Sequence, residues 1–283
     1  MRTDGGHCAA ILSVDGELTG FAFDGSEDLW LSILTPGGGS LCRAAHDSWG
    51  TAVEQVVTQI DGAPLGAVSA VEAAPDGKIY FAAAAAGPAD GLENTLRTEL
   101  LAHTGTGCVY VYDPAARTVQ KVLGGVAGAA GLALSPDGST LYVADLASRC
   151  VWSVSAAAQD LTAGGKNCRS FVSGLPGYPG ALAMDADGTL YIGYRWARSS
   201  WLEKNAGSTL LRGIALRAGR NLQEKLFGLP ADAPCAEAVD TADGSWKRII
   251  SGKDAGSVTA LCPAESRLYL GLAGSEKVRS ANL

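Results

Sequence analysis

An all-β fold of repeated antiparallel sheets, a β-propeller, is what the sequence predicts, and three observations predict it. A strand-turn-strand unit recurs five times in 283 residues. Its turns mostly carry Asp-Gly pairs, which accept the positive φ of tight hairpins. The strands entering those turns are nearly continuous apolar runs, as expected where both faces of a sheet are packed.

The unit is plainest at residues 130–145, AGLALSPDGSTLYVAD. In chain order the copies are TGFAFDGSEDLWLS (19–32), SAVEAAPDGKIYFA (69–82), AGLALSPDGSTLYVA (130–144), GALAMDADGTLYIG (180–193) and VTALCPAESRLYLG (258–271). Each leaves its turn through Leu or Ile followed by an aromatic: Trp30, Tyr80, Tyr142, Tyr191 and Tyr269. An aromatic recurring at one blade position is expected to pack between blades. Asp24-Gly25, Asp76-Gly77, Asp137-Gly138 and Asp187-Gly188 form the turns, and Glu265-Ser266 is a weaker substitute in the fifth.

Further strands come after most hairpins: GCVYVYDPAARTVQKVL (107–123) after the second, RCVWSV (149–154) and RSFVSGL (169–175) after the third, AEAVDTADGSWKRII (236–250) after the fourth. Three or four antiparallel strands per unit is blade architecture rather than helical repeat. The whole chain, 1–283, is therefore expected to be one domain. Two insertions, about 82–107 and 196–235, should cover one end of the ring. ENTLRTELL in the first has helical character; NLQEKLFGLPADAP (221–234) in the second reads as a short helix or an exposed loop.

Composition narrows the function. A hydrophobic content of 47% supplies an ample core, and a net charge of −7 with no Lys/Arg run leaves no footprint for nucleic acid or an anionic membrane. A small neutral or cationic ligand in the central channel suits this balance better. MRTDGGHCAAILSVDG does not read as a signal peptide, and no run approaches the roughly 18–20 apolar residues of a membrane helix, so a soluble, cytoplasmic chain is expected. The seven cysteines are scattered without a C-x-x-C pair, which argues for reduced thiols and against zinc.

Groups for chemistry are few. Glu72 lies in an inner strand, where an unpaired carboxylate is unexpected and its pKa would rise; Glu17, Thr19 and Thr259 hold comparable positions. His103, one of three histidines, sits in the first insertion as a candidate acid or base. Tyr178, Trp196 and Trp201 come after inner strands or lie in connections and are candidates to line the mouth and stack on a ligand.

The run VVTQIDGAPLGAVSAVEAAPDGKIYF, then TGCVYVYDPAARTVQKVL, AAGLALSPDGSTLYVAD, FVSGLPGYPGALAMDADG and VTALCPAESRLYLG, in this order, resembles the strictosidine synthase-like family, which includes the adipocyte plasma membrane-associated proteins. The resemblance implies a six-bladed propeller with its ligand site at one end of the channel. Only five units are visible, so the first blade is absent or incomplete, or residues 1–16 add a strand that closes the ring. In that family and its lactonase relatives, Asn and Asp at the channel end can hold Ca²⁺. The matching stretches here are Ser69-Ala70-Val71, Ala130-Gly131-Leu132 and Gly180-Ala181, whose one side-chain oxygen is the Ser69 hydroxyl, too few for calcium. No metal and no cofactor are expected, and Ser69 remains as a ligand contact. The glutamate on which strictosidine synthase itself relies has no counterpart in Ser257–Pro263. The resemblance thus implies metal-independent ester or lactone hydrolysis, or a condensation-type reaction other than that of strictosidine synthase, on a small organic molecule. The alternative is a propeller that binds ligands or proteins and no longer catalyses.

Overall fold

The computed structural model describes residues 10–227, 236–250, 256–275 and 277–283. They form the expected propeller, with five blades. Blade 1 is β1 (Glu17–Phe23), β2 (Leu29–Thr35), β3 (Gly38–Ala44) and β4 (Glu54–Val57). After a small hairpin, β5 (Gln59–Ile60) and β6 (Ala63–Pro64), blade 2 comprises β7 (Val68–Ala73), β8 (Ile79–Ala83), β9 (Gly107–Asp113) and β10 (Thr118–Val126), with helix α1 (Leu92–Ala102) between β8 and β9. Blade 3 is β11 (Ala129–Leu134), β12 (Thr140–Asp145), β13 (Cys150–Ser155) and β15 (Arg169–Ser173); its β14 (Leu161–Thr162) crosses over to pair with β10 of blade 2. Blade 4 is β16 (Gly177–Met184), β17 (Thr189–Ala197), β18 (Ala236–Asp240) and β19 (Trp246–Ile250), interrupted by α2 (Ser200–Lys204), α3 (Thr209–Arg217) and α4 (Arg220–Phe227). Of the stretch 221–234, residues 221–227 are thus helical, and 228–234 lie outside the described residues. Blade 5 has β20 (Val258–Ala264), β21 (Arg267–Leu272) and β22 (Arg279–Asn282).

The hairpins form as their turns dictate. Gly77, Gly138 and Gly188 take positive φ, and the Asp185 carboxylate accepts the N–H groups of Asp187 and Thr189, fixing the turn from its side chain. The first and fifth turns depart from expectation. Positive φ falls on Glu27 rather than Gly25, and Glu265 and Ser266 both adopt it, at 50° and 63°. The fifth turn thus has the backbone of a two-residue hairpin without a glycine.

Inner strands β1, β7, β11, β16 and β20 pack in that order around the axis. Small residues allow the approach: a Cβ on Gly131 would lie 2.4 Å from the Gly180 carbonyl oxygen of the next blade. Each gap between successive blades holds its own apolar cluster, and the repeated aromatics point into these gaps. Trp30 meets Tyr112 of blade 2, the Tyr80 hydroxyl donates to the Ala156 carbonyl of blade 3 at 2.9 Å, and Tyr191 packs on the cluster shared with Leu268 and Leu270 of blade 5.

No comparable packing joins β20 to β1 among the described residues. The face of blade 1 on that side, Leu29, Leu31 and Ile33, is covered instead by Leu12, Val14, Trp49 and Val53. Residues 10–16 form no strand, so the described part of the N-terminal stretch adds none to the ring.

The insertions make a helical roof at the end where the inner strands begin. Glu17 of β1 accepts the N–H of Leu92 at 3.2 Å, replacing the side-chain cap that Gly91 lacks, and α1 ends where His103 turns left-handed at φ 53°. Ser199 and Ser208 cap α2 and α3. Leu96, Leu100 and Leu101 of α1 pack with Tyr178, Trp196, Leu202 and Ala215. No helix among the described residues is long and apolar enough to cross a membrane.

Candidate functional site

All five inner strands contribute to one axial cavity of about 570 Å³. Its wall is mostly Ala, Gly, Val and Leu, and Leu92 and Leu96 of α1 lie over the end at which the strands begin. Such a size and lining suit a small, largely apolar molecule. The polar groups that reach it are Glu17, Thr19, Ser69, Glu72, Arg195 and Thr259, together with the thiol of Cys262.

Glu72 stands apart from the others. It projects from β7 about 10 Å beyond Ser69, at roughly 3.3 Å per residue, so it lies well down the channel from the roof. No hydrogen-bond donor or cation among the described residues pairs with it, and burial pushes its carboxyl up to about 8. At neutral pH the group is mostly a neutral acid, and above about 8 it is an uncompensated base.

The remaining predicted contacts are largely engaged. The Ser69 hydroxyl bridges blades 2 and 3 by hydrogen bonding to the carbonyls of Ala82 and Ala129. Thr19 donates to Ser32, and Thr259 donates to the Gly271 carbonyl at 3.2 Å. Glu17 holds the start of α1.

The structure does not bring His103 to Glu72. His103 faces a different cavity, beneath the roof, where burial and the neighbouring Arg212 lower its pKa and keep it neutral near pH 7. Tyr178 lines that second cavity too, its ring buried in the roof cluster. Trp196 and Trp201 line neither cavity. Trp196 is buried beside the guanidiniums of Arg97 and Arg195, at 5.8 and 5.9 Å from its ring centre, and Trp201 packs against the roof cluster. These aromatics were expected at a ligand mouth; they support the roof because β17 and α2 turn them inward.

Arg195, which sequence reasoning missed, is only 8% exposed and still reaches the axial cavity. Glu93 of α1 lies 3.4 Å from its Nε without hydrogen-bond geometry. The available signal was a cation inside the apolar run TLYIGYRWA, every residue of which is buried.

The donor set does not fit the calcium ion that the resemblance implies. At the three matching positions the cavity wall presents Ser69, Ala130 and Gly180, and the one hydroxyl is turned to carbonyls. Among the described residues no three His, Cys, Asp or Glu side chains converge as a ligand group.

A family model described as the SMP-30/Gluconolactonase/LRE-like region matches residues 14–212, from the start of blade 1 to α3. No curated protein matches the chain. Among solved structures, the chain is similar to a gluconolactonase from Xanthomonas campestris, with 18% identity, a TM-score of 0.60, and coverage of 92% of this chain and 70% of that one. A luciferin-regenerating enzyme shares 18% identity at a TM-score of 0.57, covering 94% and 75%. A chain of the nidogen/laminin complex gives 15% identity and a TM-score of 0.61, covering 94% and 76%. At such identities these likenesses establish the fold alone.

Proposed function

The chain belongs to the SMP-30/gluconolactonase/LRE-like family, and from that premise we propose that it is a divergent, strictosidine synthase-like member that hydrolyses a small ester or lactone in its axial cavity without a metal ion. One observation carries the reading: an unpartnered carboxyl, raised to about 8, in an otherwise apolar cavity of about 570 Å³. The solved gluconolactonase and luciferin-regenerating enzyme support this class of chemistry, and the segments GCVYVYDP and GLPGYP support the finer placement. A protein of this ring architecture has no chemistry fixed by fold alone, so the side chains in the cavity must supply it.

Glu72 is the catalytic residue of this reading. Ionised, it takes a proton from water as the water oxygen bonds to the substrate carbonyl carbon. When the tetrahedral intermediate collapses, the carbon–oxygen bond to the alkoxide breaks and Glu72 returns the proton to that oxygen. The apolar wall seats the substrate body; Ser69, Thr19 and Thr259 border the same space as contacts rather than catalysts. Condensation of an amine with an aldehyde is served less well, because β20 carries no carboxylate.

A non-catalytic, ligand-binding propeller is the second reading, favoured by the separation of His103 from Glu72 into different cavities. Purified protein assayed against aryl esters and five- and six-membered lactones, with excess chelator, separates the two. Hydrolysis is expected to persist in chelator, to rise with pH through about 8, and to drop by about 10²- to 10⁴-fold in Glu72→Gln. Equal rates in wild type and Glu72→Gln would overturn the role of Glu72, and binding without turnover would establish the second reading.

A further inference from the structure

A second cavity, of about 640 Å³, lies between the helical roof and blades 3 and 4 and shares no lining residue with the axial one. Five elements build it. The end of α1 brings Leu100 and His103, the loop after β12 brings Arg149, β16 brings Tyr178, and the helices of the second insertion bring Glu203 and Arg212.

The charges around this space do not balance by pairing. Both Nη atoms of Arg212 donate to main-chain carbonyls, Ala206 at 3.2 Å and Leu100 at 3.1 Å, and its buried Nε has no partner. Among the described residues no carboxylate pairs with it. Arg149 is held by the Leu175 carbonyl at 2.7 Å and by Glu203 at 3.0 Å, but the same Glu203 oxygen also bonds Arg198. Two guanidiniums thus share one carboxylate, and the third, Arg212, has none among the described residues. Glu99 and Asp145 are near enough to act on His103, yet their oxygens are taken by Thr104 and Gly105, and by Ser148 and Trp152. A half-buried cation without a counter-ion is costly, and an anion arriving from solution would offset that cost.

We propose that this cavity is a second ligand site, which takes an amphipathic carboxylate with its anionic end at Arg212 and Arg149 and its apolar body against Leu100, Leu202 and Leu216. The planar guanidinium fork suits a carboxylate better than a spherical anion. Leucines on three different helices provide an apolar wall on which an aryl or alkyl group rests.

The test uses 1-naphthoate and its neutral isostere 1-naphthamide, with binding to the whole protein measured by equilibrium dialysis. Naphthoate is expected to bind saturably and at least about tenfold more tightly than the amide, with about a tenfold loss in Arg212→Met. Ala206→Trp, an added bulk at an exposed wall position, should block binding, and Glu72→Gln should leave it unchanged. Because Arg212 also ties α3 to α1, thermal melts accompany each variant, and Ala206→Trp carries the test should Arg212→Met melt early. Equal binding of acid and amide, wild-type binding in Ala206→Trp or in a folded Arg212→Met, or no saturation at millimolar ligand would each overturn the proposal. A change in Glu72→Gln would do the same by moving the ligand to the axial cavity, whereas loss of ester hydrolysis alone would bear only on Glu72.

Discussion

Blade 3 and blade 1 are built from the same unit, yet their inner strands live in different surroundings. Every residue of β11 is buried, because blades 2 and 4 cover its two sides; no residue of β1 is, and Phe21 is 59% exposed. β20 resembles β1, with Val258 alone fully buried. The repeated aromatic records the same contrast. Trp30, Tyr80, Tyr142 and Tyr191 each have a following blade and are buried, whereas Tyr269 of blade 5 has none packed on it to the same degree and is half-buried. The unit therefore encodes a hairpin, and its neighbour supplies the burial. Stability should accordingly be concentrated on the flank formed by blades 2 to 4.

The largest effect that would break this comparison is a core truncation. Leu141→Ala, in the cluster between blades 2 and 3, should cost about 2–5 kcal/mol, while Phe21→Ala in β1 should cost less than about 1 kcal/mol. Urea unfolding midpoints measure both, and similar losses would mean that the two flanks are equally packed.

A smaller effect sharpens the same contrast at the axis, where the packed blades desolvate Glu72. Its folded pKa of about 8 exceeds the ordinary 4.5, so between these values the unfolded chain releases the proton first. Stability then falls as pH rises from about 4.5 to 8 and levels off above. Glu72→Gln should flatten that slope and gain about 2 kcal/mol at pH 8, below the full value of the shift because the carboxyl is partly open to the cavity. An unchanged slope in denaturation curves across this range would place the carboxyl in a wetter setting.

The smallest effect concerns the aromatic itself. Tyr80→Phe removes the hydrogen bond to the Ala156 carbonyl and should cost about 1 kcal/mol, whereas Tyr269→Phe should be close to neutral. Melting temperatures of the pair decide it, and a larger loss at Tyr269 would reveal a partner on the open side.

Much of the ring was legible because its signals are local. Period, turn residues and apolar strands sit within about fifteen residues of one another, and α1 was visible in ENTLRTELL. The roof was harder to read. Ser199 and Ser208 act as helix caps only because α2 and α3 fold over the ring, and nothing in YRWARSSWLEK distinguishes a wall aromatic from a packing one. The site was legible in part. Glu72 was visible as a carboxylate in an apolar strand, but its separation from His103 depends on the direction in which α1 crosses the roof. Arg195 is hard to single out in the sequence because its charge lies between Tyr194 and Trp196 in the buried strand β17.

The most direct measurement of the axial site is a carboxyl ¹³C NMR titration of the folded protein, with the Glu72 resonance assigned by its loss in Glu72→Gln. A midpoint near 8 is the predicted result. A midpoint close to 4.5 would show a hydrated or paired carboxylate and would contradict both the apolar axial cavity and the chemistry assigned to it.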